Sequence, residues 1–536
     1  LMIRNFPTTI RFLASSVGAI FITAGMAQAG VGDQLAKLLA SDGAAGESFG
    51  KSVSISGTAA IVGAWFDDDN GSQSGSAYLF DTVTGLQIAK LLASDGAVND
   101  LFGVSVSISG TTAIVGAIGD DDNGVDSGSA YLFDTVTGLQ IAKLLPSDGA
   151  ASDGFGVSVS ISGTTAVVGA QNDDDNGTNS GSAYLFDTVT GLQIAKLLPS
   201  DGAASDIFGG SVSISGTTAI VGASSDDDNG SQSGSAYLFD TVTGLQIAKL
   251  LPSDGAAIDF FGNSVSISGT TAIVGATQGG DNGIRTGSAY LFDTVTGLQI
   301  AELLPSDGAA GDNFGRSVSI SGTTAIVGAF TDADNGSNSG SAYLFDTVTG
   351  LQISKLLPSD GAAGDFFGLS ASISGTTTIV SAENDDDNGT NSGSAYLFEA
   401  FQGLPVITSD VPSISLGTGG SQVLTIHGGP TQAGWTYFTF GSVTGTAPGI
   451  DFGGGLVLPL NFDVYMNLTI FKPSLGAFGN FRGTLDGSGQ AVATFTFPAL
   501  MDPSLIGVTI NHACLTGAIL GVAEAASNAV PVLLAP

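Results

Sequence analysis

Aspartates recur in this chain in clusters that could hold a hard cation. Asp67-Asp68-Asp69-Asn70-Gly71 is the first, and counterparts follow at intervals of 53 residues. Carboxylates, Asn carbonyls and backbone oxygens are the ligands calcium prefers. The segment Asn172-Asp173-Asp174-Asp175-Asn176-Gly177 partly follows the spacing D-x-[DN]-x-[DN]-G of a calcium loop. The candidate ligands are therefore Asp67, Asp69 and Asn70; Asp120, Asp122 and Asn123; Asn172, Asp174 and Asn176; Asp226, Asp228 and Asn229; and Asp385, Asp387 and Asn388. Gly279-Gly280-Asp281 and Asp332-Ala333-Asp334 lack the full set. Asp-Asn-Gly also forms tight turns without any ion. Calcium site and solvated turn both stay open at this point.

Catalytic sets are harder to find. Both histidines, His427 and His512, and the single cysteine, Cys514, lie beyond the repeats. The repeats therefore contain no Ser-His-Asp or Cys-His site and no conventional zinc site. Paired carboxylates can cleave glycosidic bonds, but such a pair needs one special place, and these acids recur in equivalent surroundings. His427 sits in an alternating strand pattern and reads as structural. The expectation is no catalytic residue and no enzyme.

Composition narrows the partners. The formal net charge is −36, which repels nucleic acid and anionic membranes. With one cysteine the chain cannot form an internal disulfide, so packing must hold it. Residues 1–29 read as a secretory signal: Arg4 and Arg11 are basic, residues 12–26 are apolar, and Ala27-Gln28-Ala29 is a small-residue cleavage site. No later stretch is long and apolar enough for a helical span.

The elements that must position the acids repeat with the same period. Phe49-Gly50, Phe102-Gly103, Phe155-Gly156, Phe208-Gly209, Phe261-Gly262, Phe314-Gly315 and Phe367-Gly368 each open one copy. Each unit reads as four short strands, in the first copy 51–56, 59–63, 76–80 and 86–92, separated by Gly-rich turns. A four-stranded meander of this length is a propeller blade. The serines of the first strand suit the crowded axis. Residues 34–40 match a fourth strand, whereas the last copy stops after its third. Pairing the two would close a ring of seven blades and remove two sheet edges. Residues 34–399 are thus expected to form a seven-bladed β-propeller, 400–412 a linker, and 413–536 a small all-β sandwich.

In a meander the loops after strands two and four share one face. Those loops carry 34 of the chain's 49 acidic residues. The copies differ mainly just after Gly-Ala and just before Phe-Gly, beside these loops. Differences gathered on one face are what a binding surface shows, and also what a relaxed surface shows. Trp65, Phe66, Ile118 and Phe330 are the apolar candidates for partner contact.

Phe-Gly, a strand, Ala-Ile-Val-Gly-Ala and Gly-Ser-Ala-Tyr-Leu-Phe together resemble the FG-GAP repeat, found in integrin α-chain propellers and in many secreted bacterial proteins. The resemblance covers residues 34–399. It implies a seven-bladed propeller and adhesion or extracellular recognition. The family's integrin-type calcium loop lies between the first two strands. Here that place holds only Ser56-Gly57-Thr58 and its copies, so those sites do not carry over. The overall expectation is an all-β, secreted or cell-surface bacterial protein. It would bind an extracellular protein or polysaccharide without catalysis, through an acidic face with calcium as its candidate ion. A structural matrix protein and a carbohydrate-active enzyme are the alternatives.

Overall fold

The computed structural model describes residues 31–279 and 285–400 throughout and, beyond residue 400, the backbone of the strands named below. The 1–29 signal expectation lies outside the described residues.

Each repeat folds as one antiparallel sheet. In the first blade the strands are Phe49–Ser56, Ala59–Ala64, Ser76–Asp81 and Gln87–Leu91, ordered from the axis outwards. Five more copies follow in sequence. The seventh sheet takes Phe367–Ser374, Thr377–Ala382 and Ser394–Glu399 from the end of the array, and Gln34–Leu38 from its beginning. The closing register is that of an ordinary outer strand: Lys37 faces Tyr396 as Lys90 faces Tyr78. The ring of seven blades is closed by its chain ends, as the truncated first and last copies require.

The core lies between blades. Phe102, Val106 and Tyr131 of the second blade pack with Ile61, Leu79 and Leu91 of the first. At the closure Phe49, Val53 and Tyr78 pack with Leu38, Ile379 and Leu397. Phe49 meets Tyr78 and Phe80 edge-on, with ring centroids 5.5 and 5.9 Å apart, an arrangement that aromatic quadrupoles favour. These buried faces explain the Phe, Tyr and Phe of each copy.

Two glycines explain the rest of the signature. Gly103 follows its Phe at φ +95, in a β-bulge of the innermost strand. A Cβ on Gly63 of the preceding blade would overlap the Gly103 carbonyl oxygen. The Phe-Gly of one copy and the Gly-Ala of the copy before it therefore form one backbone contact across the blade boundary.

The axial serines do more than the sequence analysis assigned to them. An innermost strand is a sheet edge, and its outward N–H groups need acceptors. Val106 N donates to Ser52 Oγ at 3.1 Å and Ile108 N to Ser54 Oγ at 3.2 Å. At the closure Ile55 N donates to Ser372 Oγ at 3.3 Å. Each blade's serines thus satisfy the next blade's edge.

Beyond residue 400, Val406–Ser409, Gly420–His427, Gln490–Phe497 and Phe478–Gly479 form one sheet. Ser413–Ser415, Val530–Ala535, Thr509–Gly517, Thr436–Ser442 and Arg482–Thr484 form a second, with Ala525–Ala526 against Thr509–Gly517. Part of the expected 400–412 linker is therefore a strand: Val406–Ser409 pairs with Gly420–His427. Among the described residues no helix is long and apolar enough to cross a membrane.

Candidate functional site

The acidic loops are built around lysines. Lys90, on the outer strand of the first blade, places Nζ 2.8 Å from Asp42, 2.9 Å from Asp67 and 2.7 Å from Asp69. Tyr78 Oη donates to Asp67 Oδ2 at 2.9 Å, and the ammonium lies 5.2 Å from the tyrosine ring centroid. One ammonium thus ties an outer strand, the loop after the second strand and the loop entering the blade. The cage recurs at Lys143, Lys196, Lys249 and Lys355, and at Lys37 across the closure. Burial alone would lower the Lys90 ammonium, but hydrogen bonds to Asp42, Asp69 and Asp67 overcome it and hold the group well above the usual lysine value.

This arrangement bears on calcium. Asp360, Asp385 and Asp387 bring carboxylate oxygens within 4.8 Å of one another, a spacing suited to a cation. The cation between them is Lys37, at 2.8, 3.0 and 2.6 Å. Calcium asks for six to eight oxygens. With an ammonium at the centre, the cages do not fit it. Nor does the turn between the first two strands: only Gly57 and Thr58 separate Ser56 from Ala59.

The candidate ligands divide accordingly. Asp67, Asp69, Asp120, Asp122, Asp226, Asp228, Asp385 and Asp387 all belong to lysine cages. Asn70, Asn123, Asn176, Asn229 and Asn388 donate their backbone N–H to a serine hydroxyl, closing the turn. In the third copy the calcium-loop spacing selects the wrong members. Asp173 and Asp175 hold Lys196. Asn172 N reaches the Asp153 carbonyl, and Asp174 accepts from Asn179 N. Asp42 and its copies supply the third carboxylate, which local spacing alone did not reveal. A signal was present: the fifth copy carries Gly279 in place of the first cage aspartate and Glu302 in place of the lysine. The acid two residues before each Phe is structural too, since Asp100 Oδ2 accepts from Ala97 N at 2.7 Å.

Several of the positions that vary among the copies gather at the axis. A cavity of about 600 Å³ opens where the innermost strands begin. It is lined by axial serines and by several of the residues at which the repeats disagree. Trp65 and Ile118, two of the apolar candidates, line it. Phe66 stacks behind Trp65 with ring centroids 4.1 Å apart. Phe330 lies beneath the Arg316 guanidinium, 6.0 Å from it. The position directly after Phe-Gly was missed by the sequence reading, though it takes six residue types in seven copies: Lys51, Val104, Val157, Gly210, Asn263, Arg316 and Leu369.

The mouth is two-sided. Val104, Ile118, Val157 and Ile207 make an apolar sector in the second, third and fourth blades. Lys51 and Trp65 of the first blade and Arg316 of the sixth make a polar one, with Glu383 of the seventh paired beside them. Trp65 Nε1 donates to Glu383 Oε1 at 3.0 Å, and Lys51 Nζ lies 3.9 Å from that carboxylate and 4.1 Å from the Trp65 ring centroid. Burial raises the Glu383 carboxyl above its usual value, against Lys51 and Trp65. Burial likewise lowers Lys51 and Arg316, against the pull of Glu383.

The FG-GAP repeat model matches residues 33–80, 86–133, 139–186, 192–239, 245–292, 298–345 and 351–398. The chain belongs to the FG-GAP repeat family. A comparison with curated protein sequences gives no match. Among solved structures, this FG-GAP chain is similar to the dihydro-heme d1 dehydrogenase NirN in complex with DHE, at 13% identity over 58% of this chain and TM-score 0.35. It spans 58% of that chain's length. It is also similar to apo AztD from Citrobacter koseri, at 12% identity over 56% of this chain and 70% of that one, TM-score 0.32. A europium-containing methanol dehydrogenase gives 10% identity over 70% and 81%, TM-score 0.34.

Proposed function

We propose that this FG-GAP propeller is an exported binding protein that recognises an extracellular protein or polysaccharide through its axial mouth, without catalysis. One observation carries the reading. Copies that are otherwise nearly identical disagree directly after Phe-Gly, and those seven residues, with Trp65, Leu101, Ile118 and Ile207, converge on a single cavity. Seven equal blades that served only as bulk would gain nothing by breaking their symmetry there, whereas a concave, half-apolar cavity of this size suits recognition. The secretory pattern of residues 1–29 supports export, and the absence of His and Cys from residues 34–399 supports a non-catalytic role. The acidic cages enter as scaffold, their lysines standing where the sequence suggested an ion.

The test is a protein and glycan array probed with the full chain, with and without calcium. Capture should be lost in Ile118→Asp and Trp65→Ala. It should survive Val136→Ser, an exposed position in the turn that follows Asp134. Capture indifferent to the mouth variants overturns the axial assignment. Capture of nothing in either condition favours the structural matrix reading.

A further inference from the structure

The polar sector of the mouth holds hydrogen-bond donors with no acceptor. Arg316 has the Phe330 ring beneath it, and among the described residues no carboxylate lies within ion-pair distance of its guanidinium. Asn263 occupies the equivalent position on the neighbouring innermost strand, and its buried Nδ2 has no hydrogen-bond partner. Buried donors are normally satisfied, and each exception asks for an explanation. Lys51 and Arg316 line the mouth and Glu383 pairs beside them, so the three together carry one net positive charge in a chain whose net charge is −36. An acceptor-rich anion is what these groups lack.

The opposite sector is kept apolar at a cost. The residue before each Phe has positive φ, which Gly154 and Asn313 adopt readily. Leu101 and Ile207 hold the same backbone at φ 58, and both line the cavity. A β-branched residue in that region is a strained choice. Phe260 and Phe366 hold it too, at φ 54 and 56, so four of the seven equivalent positions carry a large apolar side chain in this conformation, and the pair in the second and fourth blades gives the cavity its apolar wall.

We propose that the axial mouth binds a carboxylate attached to an apolar body, the carboxylate meeting Arg316 and Asn263 and the body lying against Leu101, Ile118, Val157 and Ile207. This rests on the binding role of the mouth proposed above and names the chemistry of what enters it. A free organic acid and the C-terminal residue of a peptide share that chemistry.

The experiment is ligand-observed NMR titration of the full chain with 4-phenylbutyrate, its amide and acetate. N-acetyl-Phe-Leu with a free or amidated C-terminus forms a second arm. The acids should bind about 10- to 100-fold more tightly than their amides, the ratio that loss of a charge-assisted hydrogen bond produces. Acetate should bind weakly for want of an apolar body. Arg316→Gln should abolish the preference for acid over amide while leaving amide binding unchanged. Arg316→Lys should restore part of it, which shows that a folded ring was assayed. Ile118→Asp should weaken acid and amide alike. Stronger binding in one arm identifies the source as free acid or chain end. Equal binding of acid and amide, or an Arg316→Gln chain that keeps the preference, overturns the anion assignment while the mouth remains a binding site. Failure of every probe overturns the ligand chemistry. Array capture that is also insensitive to Ile118→Asp overturns the binding role itself.

Discussion

Replacing Lys90 by methionine isolates what one lysine cage contributes. Methionine keeps an unbranched stem and removes only the ammonium. The Asp67 side chain, 2% exposed, then retains the Tyr78 hydroxyl at 2.9 Å and the Asp69 N–H at 3.0 Å, but no opposite charge. Removing one partner of a buried pair costs about 3–5 kcal/mol. Asp42 and Asp69 are about half exposed, so their pairings add only about 0.2–1 kcal/mol each. The two surviving hydrogen bonds offset part of the loss, and the expected net destabilisation is about 3 kcal/mol. Urea unfolding at neutral pH, with parent and variant compared at one ionic strength, measures it. Adding Asp67→Asn should recover more than half of the loss, because a carboxamide carries no charge to strand. The fifth copy has made a comparable pair of changes, with Gly279 and Glu302 at these positions. Lys90→Met also leaves three carboxylates facing one another, so millimolar calcium should stabilise the variant. Calcium and chelator should leave the parent's midpoint unchanged. The reasoning fails if the single variant loses less than about 1 kcal/mol, or if the double variant is no more stable than the single one.

Three further outcomes follow from the same contacts. Gly116→Ala would drive a Cβ into the Gly156 carbonyl of the next blade and should cost at least about 3 kcal/mol. Gly110→Ala, at φ +57 with open space around it, should cost about 1 kcal/mol, and similar losses in the two variants would refute the contact argument. Deleting residues 31–40 removes the seventh blade's outer strand and the Lys37 cage, and should give aggregated or oligomeric chain by size-exclusion chromatography; a stable monomer would show that the ring needs no closure. Stability should peak near pH 5 in thermal melts. Burial would raise Asp120, but hydrogen bonds from Lys143 and Tyr131 hold it below 3.8, so its contribution is present above that value and lost as pH falls through the lowered one. Burial lifts Asp100 to about 6 and Glu399 to about 7, so their contributions are complete below their ordinary values of 3.8 and 4.5 and are lost as pH rises through about 6 and about 7. A melting midpoint that climbs steadily from pH 5 to 8 would contradict these assignments.

The ring itself was written along the chain. A constant period, Phe49-Gly50 and its copies, and a first and last unit that each lack what the other supplies determine seven blades and the manner of closure. These are local or periodic features, and a repeat must bury the same faces each time. What the loops and the axis do depended on contacts the chain order hides. Lys90 meets Asp42 and Asp67 because the outer strand runs beside the loop after its blade's second strand and the loop that enters the blade. Reading Asn172 to Asn176 as a local ion loop missed this, since the cation comes from Lys196. Arg316, Glu383, Lys51 and Trp65 lie up to 332 positions apart in sequence. Lys51, Trp65 and Arg316 line one mouth, with Glu383 paired beside them, because closing the ring sets the sixth, seventh and first blades side by side around the axis.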